Sequence, residues 1–360
     1  MDFRPISCCT TFYKTISKIL SNSFQHILPK IIWPEQAAFI KGRDVHENIM
    51  MSQTLVKGYG RKYLTPRCLI KIDIWKAFDS LQWGLVKSLY ASTKKNDIYF
   101  GGVSSAIKAQ ILHVTRFSEG SFPFSYLGIL LDTARIHEDT YGALINKVQS
   151  HLRHWSTRFF SYVGKVQLLN SVMFRITNFW CASALLPKNT IKIINKLCND
   201  FFWNIEEGKQ KLSFQSWKNI CSSWDEGGFD IKEMLSWNKA VLAKKILIHD
   251  TKQTGLWFSW NKAYIFPSTT IWEVQGKSHY SEKFRSITSV KEEIICRPVS
   301  PYLAISLFHS WIHGDKFCLK KAYAWFKTHQ NILPWALALR QPYIVPSHNI
   351  ITSTKASHHI

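Results

Sequence analysis

Asp73 and Asp79 are the carboxylates whose setting invites chemistry. They fall in IKIDIWKAFDSLQW, residues 70–83. Ile70, Ile72 and Ile74 alternate with Lys71 and Asp73, the period of a strand with one apolar face. From Ala77 the spacing changes, and Phe78, Leu81, Leu85 and Leu89 recur at helical intervals. Asp73 is therefore predicted near the C-terminal end of a strand, where the chain turns into a helix. A carboxylate there suits a divalent metal in nucleotidyl transfer. That chemistry holds two ions ~3.5–4 Å apart, so one carboxylate is not enough. The plainer reading is a surface acid at a strand end and a helix-N-terminal acid at Asp79.

Other clusters carry weaker chemistry. Cys296, His309, His313 and Cys318 have a C-x12-H-x3-H-x4-C spacing that zinc could tolerate. Structural zinc sites usually draw on close cysteine pairs, and these cysteines are single. Phe308 and Trp311 fit an ordinary helix packing its apolar side, so zinc is not expected. His151 and His154 in HLRHW lack a nucleophile or acid partner, and a solvated or phosphate-facing place suits them better than catalysis. GYGRKY (58–63) lacks the order of a phosphate loop and reads as a turn.

The elements around these residues are mostly helical. Phe12, Ile16, Ile19, Leu20, Phe24 and Ile27 line one side of a first helix, closed by Pro29 and Pro34. Asp44 and Glu47 form a capping-box pattern at the start of a second. FPFSYLGILLD (122–132) reads as a hairpin bent at Gly128. From Asp139 to Phe160, Tyr141, Leu144, Ile145, Val148, Leu152, Trp155 and Phe159 make one apolar stripe. Helices over about 162–180 and 190–203 complete a predicted bundle. DEGGFDI (225–231) is a turn, and a helix follows over about 234–249. Beyond about 265 the pattern weakens, interrupted by Pro267, Pro298 and Pro301 among others.

The charge balance narrows the partners. The 360 residues hold 46 Lys and Arg against 24 Asp and Glu, a net +22, which points to a polyanion, nucleic acid before membrane. Asp2 and Arg4 stand where a signal peptide would begin its apolar run, and FWCASALL (179–186) is too short to span a bilayer. The 8 scattered cysteines read as reduced thiols of an intracellular protein. Lys147, Arg153, Arg158, Lys165, Arg175, Lys188, Lys192 and Lys196 fall on the polar sides of the predicted helices.

Seven blocks give a more specific signal. DFRPISCCTTFYKTISKIL, QAAFIKGRDVHENI, PRCLIKIDIWKAFDSLQW, IYFGGV, FPFSYLGILLD, GKVQLLNSVMFRITNFW and WKNICSSWDEGGFDIKEMLSWNKAVLAKK occur in this order. Together they resemble the reverse transcriptase of plant LINE-type (non-LTR) retrotransposons over roughly residues 1–265. Residues 266–360 resemble that family's zinc-binding C-terminal region only loosely. The resemblance implies an α+β, mostly helical fold. Fingers and an incomplete palm would occupy 1–132, a thumb-like helical region 133–265, and a degenerate C-terminal region 266–360. It implies that Asp73 matches the metal-binding palm aspartate and that Arg43 and Lys71 lie on the substrate side. Asp79 would be structural. The partners implied are RNA or DNA held without sequence preference, with no membrane; a nuclear location follows from resemblance alone, and the oligomeric state stays open.

The family separates the helix after AFDSLQW from IYFGGV by a long stretch holding an Asp-Asp pair. Here Trp83 and Ile98 are 15 positions apart, and no Asp-Asp dipeptide occurs in the chain. The pattern resembles an internal deletion with its seam near SLYASTKKND. The upstream endonuclease domain of the family is likewise not expected, because the chain opens inside the fingers. Asp73 would then have no partner, would hold the family's Mg²⁺ only weakly, and would support no polymerisation. Its strand would also lose the neighbours that should pair with it.

Overall fold

A computed structural model describes residues 8–33, 35–38, 40, 42–59, 65–72, 96–133, 141–156, 160–204, 215–250, 255–298, 300–314 and 316–327. In chain order the first elements are α1 (Thr11–Phe24), α2 (Leu28–Ile31), α3 (Val45–Val56), β1 (Arg67–Lys71), β2 (Asp97–Gly101), α4 (Ser105–Thr115), β3 (Ser118–Glu119), β4 (Phe124–Tyr126) and β5 (Ile129–Leu131). Then come α5 (Gly142–Ser156), α6 (Tyr162–Leu168), α7 (Phe174–Ser183), α8 (Lys188–Phe202), α9 (Trp217–Ile220), α10 (Met234–Asp250) and α11 (Leu256–Tyr264). The last are α12 (Glu282–Cys296), α13 (Pro301–Ser310), β6 (Ile312–His313), β7 (Lys316–Phe317) and α14 (Leu319–Phe326). The fold is mostly helical α+β with a few small sheets, as the sequence predicts. It divides into two compact units, one of residues 1–140 with 246–288 and one of 141–245 with 289–360.

In the first unit, β1 pairs antiparallel with β2 from Arg67↔Gly101 to Lys71↔Asp97, and β2 pairs parallel with β3. The expected unpaired strand is therefore corrected: β2, from beyond the short spacing after Trp83, runs along its whole length. The sheet order leaves β1 outermost. The predicted apolar face is also reversed. Ile70 and Ile72 are 48% and 45% exposed, while Leu69 and Lys71 are half-buried. The reason lies in β4–β5, whose Phe124 and Leu131 join Tyr99 on the Leu69 side. Stacking of Tyr99 on Phe124, with ring centroids 4.1 Å apart, decides which face the strand buries. The β4–β5 hairpin turns through Leu127 and Gly128, with φ of 50° and 81°. Two consecutive positive φ values match the twist of a two-residue hairpin loop, and glycine reaches them without a Cβ clash.

Helix α3 begins as predicted at Asp44, whose carboxylate accepts the His46 N–H at 2.9 Å. It packs on α11, where Trp257 is fully buried and donates its indole N–H to Thr54 Oγ1 at 3.0 Å. Gly255, just before α11, lies so close to the Glu47 carboxylate that any Cβ would overlap it. His249 adds a ring edge to Trp257, Phe258, Phe266 and Phe284, forming the aromatic centre of this unit.

In the second unit α5 packs on both α7 and α8, with α6 against α8. Leu144, Val148 and Leu152 of α5 meet an apolar stripe on α8 that includes Ile191, Ile194 and Phe202. Asn238 of α10 is fully buried. Its Nδ2 donates to the Cys181 and Ala184 carbonyls at 2.8 Å each, and its Oδ1 accepts the Leu186 N–H at 2.7 Å. One side chain thus closes the carbonyls freed at the end of α7. Beyond residue 265 the structure forms α12, α13 and α14, where the sequence pattern predicted interruption. Pro301 opens α13, because a first-turn N–H needs no helical partner, and Ser300 caps it.

Two changes test this packing. Gly228→Ala should lower stability by about 1–3 kcal/mol through overpacking, because its Cβ would fall against the backbone oxygens of Ser222 and Asn219, read as a lower midpoint in urea unfolding. An unchanged midpoint would contradict the close approach. Lys283 is 4% exposed, and burial pushes its amine down to about 8. Between pH about 8 and its ordinary 10.5 the unfolded chain holds a proton that the folded chain has released. Stability must rise with pH across that window. Lys283→Met should flatten this rise in melting temperature; equal slopes in the two proteins would show that the amine is solvated.

Candidate nucleic-acid interface

The predicted palm acid and the described sheet meet only in part. Asp73 and Asp79 lie outside the described residues. Lys71, two positions earlier, stands opposite Asp97 in the β1–β2 register, with its Nζ 5.8 Å from the centre of the Phe124 ring. The Lys71 stem thus leans on the aromatic cluster. Tyr99, two residues from Asp97, is pushed up to about 12 by burial first, then by the Asp97 charge and their hydrogen bond. Asp97 ends the SLYASTKKND seam, where the sequence alone marks no site. The signal available was its period-two spacing from Tyr99 in DIYFG. Among the described residues no group of three or more His, Cys, Asp or Glu could hold an ion.

Arg43 is engaged with its own loop. Its Nη1 donates to the Trp33 and Gln36 carbonyls at 2.6 and 2.8 Å. Its Nη2 donates to Pro29 and Ile32 at 3.2 and 2.9 Å. Four carbonyls around the end of α2 thereby find a donor, which is the work of a helix and loop clamp. This engagement occupies the nitrogens that a phosphate would otherwise need.

The basic residues of the second unit separate into two kinds. Lys147 and Arg153 on α5, Arg175 on α7, and Lys188, Lys192 and Lys196 on α8 are all exposed. The α8 lysines recur at i, i+4 and i+8, one stripe about 12 Å long on the side opposite its buried Ile191, Ile194 and Cys198. Arg158 lies outside the described residues. Lys165 differs from the rest. It is 3% exposed and donates to the Phe202 carbonyl at 2.9 Å and to Asn204 Oδ1 at 2.5 Å. Phe202 ends α8 and Asn204 follows with φ 53°, so Lys165 closes the C-terminus of that helix. Burial lowers its amine below the ordinary lysine range. The period of α6 reads Lys165 as polar-faced, but the end of α8 supplies the carbonyl that draws it inward.

The C-terminal quartet is dispersed in kind. Cys296 ends α12, His309 is exposed on α13, His313 is on β6 and 3.2 Å from Lys321 Nζ, and Cys318 precedes α14. Phe308 and Trp311 are buried, as an ordinary helix face predicts.

Residues 1–124 match the family model described as reverse transcriptase (RNA-dependent DNA polymerase). The match takes in the first four of the blocks quoted above and the start of the fifth. Among similar proteins is one named "Putative ribonuclease H protein" from Arabidopsis thaliana, 27% identical over 110 residues, covering 31% of this chain and 18% of the relative. A second, the transposon TX1 149 kDa protein of Xenopus laevis, is 28% identical over 78 residues, 22% of this chain and 6% of the relative. An uncharacterized mitochondrial protein of Arabidopsis thaliana is 28% identical over 108 residues, 30% of this chain and 70% of the relative. The matched segment thus spans less than a fifth of the first two relatives.

The two kinds of lysine should respond differently. Lys165→Met leaves the Phe202 carbonyl and Asn204 without their donor, and should cost about 1–3 kcal/mol in denaturant unfolding. Lys192→Gln should leave the unfolding midpoint within ~0.5 kcal/mol, as for other exposed sites. Equal effects would mean that Lys165 is not the cap described.

Proposed function

We propose that this chain is a reverse-transcriptase-like polypeptide of retrotransposon origin that holds RNA or DNA through phosphate contacts and does not polymerise. The observation that carries the reading is the match of residues 1–124 to reverse transcriptase in a chain with no Asp-Asp dipeptide. In-line phosphoryl transfer needs one metal at the attacking hydroxyl and another at the leaving group, held by more than one carboxylate. Asp73 supplies one. The fingers and incomplete palm would lie within residues 1–132 and the thumb-like helices within 133–265.

Binding rests on charge. The net +22 and the exposed lysines of α8 attract a polyanion without reading bases. Lys147, Arg153 and Arg175 add to this electrostatic surface, whereas Lys165 and Arg43 act within the fold. Among the described residues no helix is long and apolar enough to cross a membrane.

Fluorescence anisotropy with a labelled single strand tests the reading. Each phosphate contact should contribute a slope of about −0.7 in log affinity against log salt. The Lys188→Gln/Lys192→Gln/Lys196→Gln variant should reduce that slope by roughly 2 and weaken all sequences alike. Salt-independent binding, or binding that the triple variant leaves intact, would refute the α8 surface.

A further inference from the structure

The β6–β7 hairpin presents two different faces. On one, Ile312 stands opposite Phe317, whose ring centre lies 5.8 Å from that of Phe308 and 6.1 Å from that of Trp311. Phe308 and Trp311 are buried. The Cys318 N–H donates to the Trp311 carbonyl at 2.7 Å and fixes the base of the hairpin. The next pair, His313 opposite Lys316, falls on the other face and is exposed. Lys321 of α14 reaches the same corner. Its Nζ lies 3.2 Å from His313 Nε2 and donates to the Ser310 carbonyl, where α13 ends, at 3.3 Å. Lys320, its neighbour, is exposed. From residue 298 to 327 the one acid is Asp315, which lies outside the described residues.

Cations set side by side repel, and an anion between them removes the repulsion. The hydrogen bonding at His313 defines the chemistry of that anion. A lysine ammonium has donors only, so its contact with Nε2 uses the nitrogen lone pair and holds with the imidazole neutral. A phosphate oxygen is an acceptor and reverses this demand. Nζ then donates to the oxygen, and Nε2 becomes a second donor by taking up a proton from solvent. We infer that His313, Lys316 and Lys321 form a second phosphate contact for nucleic acid, and that it takes up a proton as it binds. The inference rests on the nucleic-acid reading above and puts its site in a part of the chain that the reverse transcriptase match does not reach. Linkage fixes the sign. A complex that holds one more proton than the free chain tightens as pH falls through the imidazole range. The titratable groups around His313 are Lys316 on β7, Lys320 and Lys321 on α14, His309 on the last turn of α13, and Asp315. Of these only His309 is another imidazole.

Fluorescence anisotropy of the full chain with a labelled oligo-dT strand tests this. Neither the phosphodiester nor thymine titrates across the imidazole range of about pH 6 to 7.5, so a pH response belongs to the protein. At fixed salt the affinity should rise about three- to tenfold from the upper to the lower end of that range. His313→Gln should remove most of the rise, whereas His309→Gln should keep it. In the Lys188→Gln/Lys192→Gln/Lys196→Gln background, Lys316→Gln/Lys321→Gln should lower the salt slope by roughly 1.4, two contacts at about 0.7 each. These side chains are exposed, so far-UV circular dichroism and the unfolding midpoint should not change in any variant. A pH response that His313→Gln leaves intact, one lost with His309→Gln instead, or an unchanged salt slope would overturn the inference. Binding that depends on α8 but is equal at both pH values would overturn this site alone. No binding at either pH would overturn the nucleic-acid reading with it.

Discussion

The pairing of β1 with β2 is the constraint on which the first unit depends. A strand carries a row of N–H and C=O groups that must find partners. Arg67–Lys71 finds them in Asp97–Gly101, from the far side of the short spacing that follows Trp83. That register sets Lys71 opposite Asp97 and turns Leu69 toward Tyr99, Phe124 and Leu131. A shift of one residue would carry every side chain to the other face. The exposure of Ile70 and Ile72 follows from the same choice, because the aromatic cluster can cover one face only.

Lysine plays two physically distinct parts in this chain. Lys165 and Lys283 are buried, with amines lowered by desolvation, and one of them closes a helix end. Lys188, Lys192 and Lys196 stay in water on one side of α8. Burial decides between these parts. A solvated ammonium keeps its charge for a polyanion, whereas a buried one spends its hydrogen bonds inside the fold. Arg43 belongs to the second group through its four carbonyl contacts. Net charge alone therefore overstates the surface available to phosphate.

Periodicity made most of the helical architecture legible. The stripes on α5 and α8, the cap at Asp44 and the bend at Gly128 are all local patterns, and the structure shows each. What escaped was set by contacts distant in sequence. The inward turn of Lys165 depends on Phe202 and Asn204, 37 and 39 residues away. The facing of β1 depends on Phe124 and Leu131. Asn238 reads as an ordinary polar helix residue until the carbonyls of Cys181 and Ala184 come to it. Prolines misled for another reason: Pro301 looks like a breaker, yet its fixed φ suits the first turn of α13. The family resemblance was legible from block order. The chemistry at Asp73 rests on sequence alone, since that residue lies outside the described structure.

On the reading proposed above, the chain lacks the carboxylates for two-metal chemistry. A primer-extension assay tests it most directly, with purified protein, an RNA or DNA template, deoxynucleotides, and Mg²⁺ or Mn²⁺. No template-directed extension is expected from this chain, and no difference between it and Asp73→Ala. Extension that Asp73→Ala abolishes would contradict it, because a metal site would then be assembling around Asp73 from acids elsewhere in the chain or from a second copy.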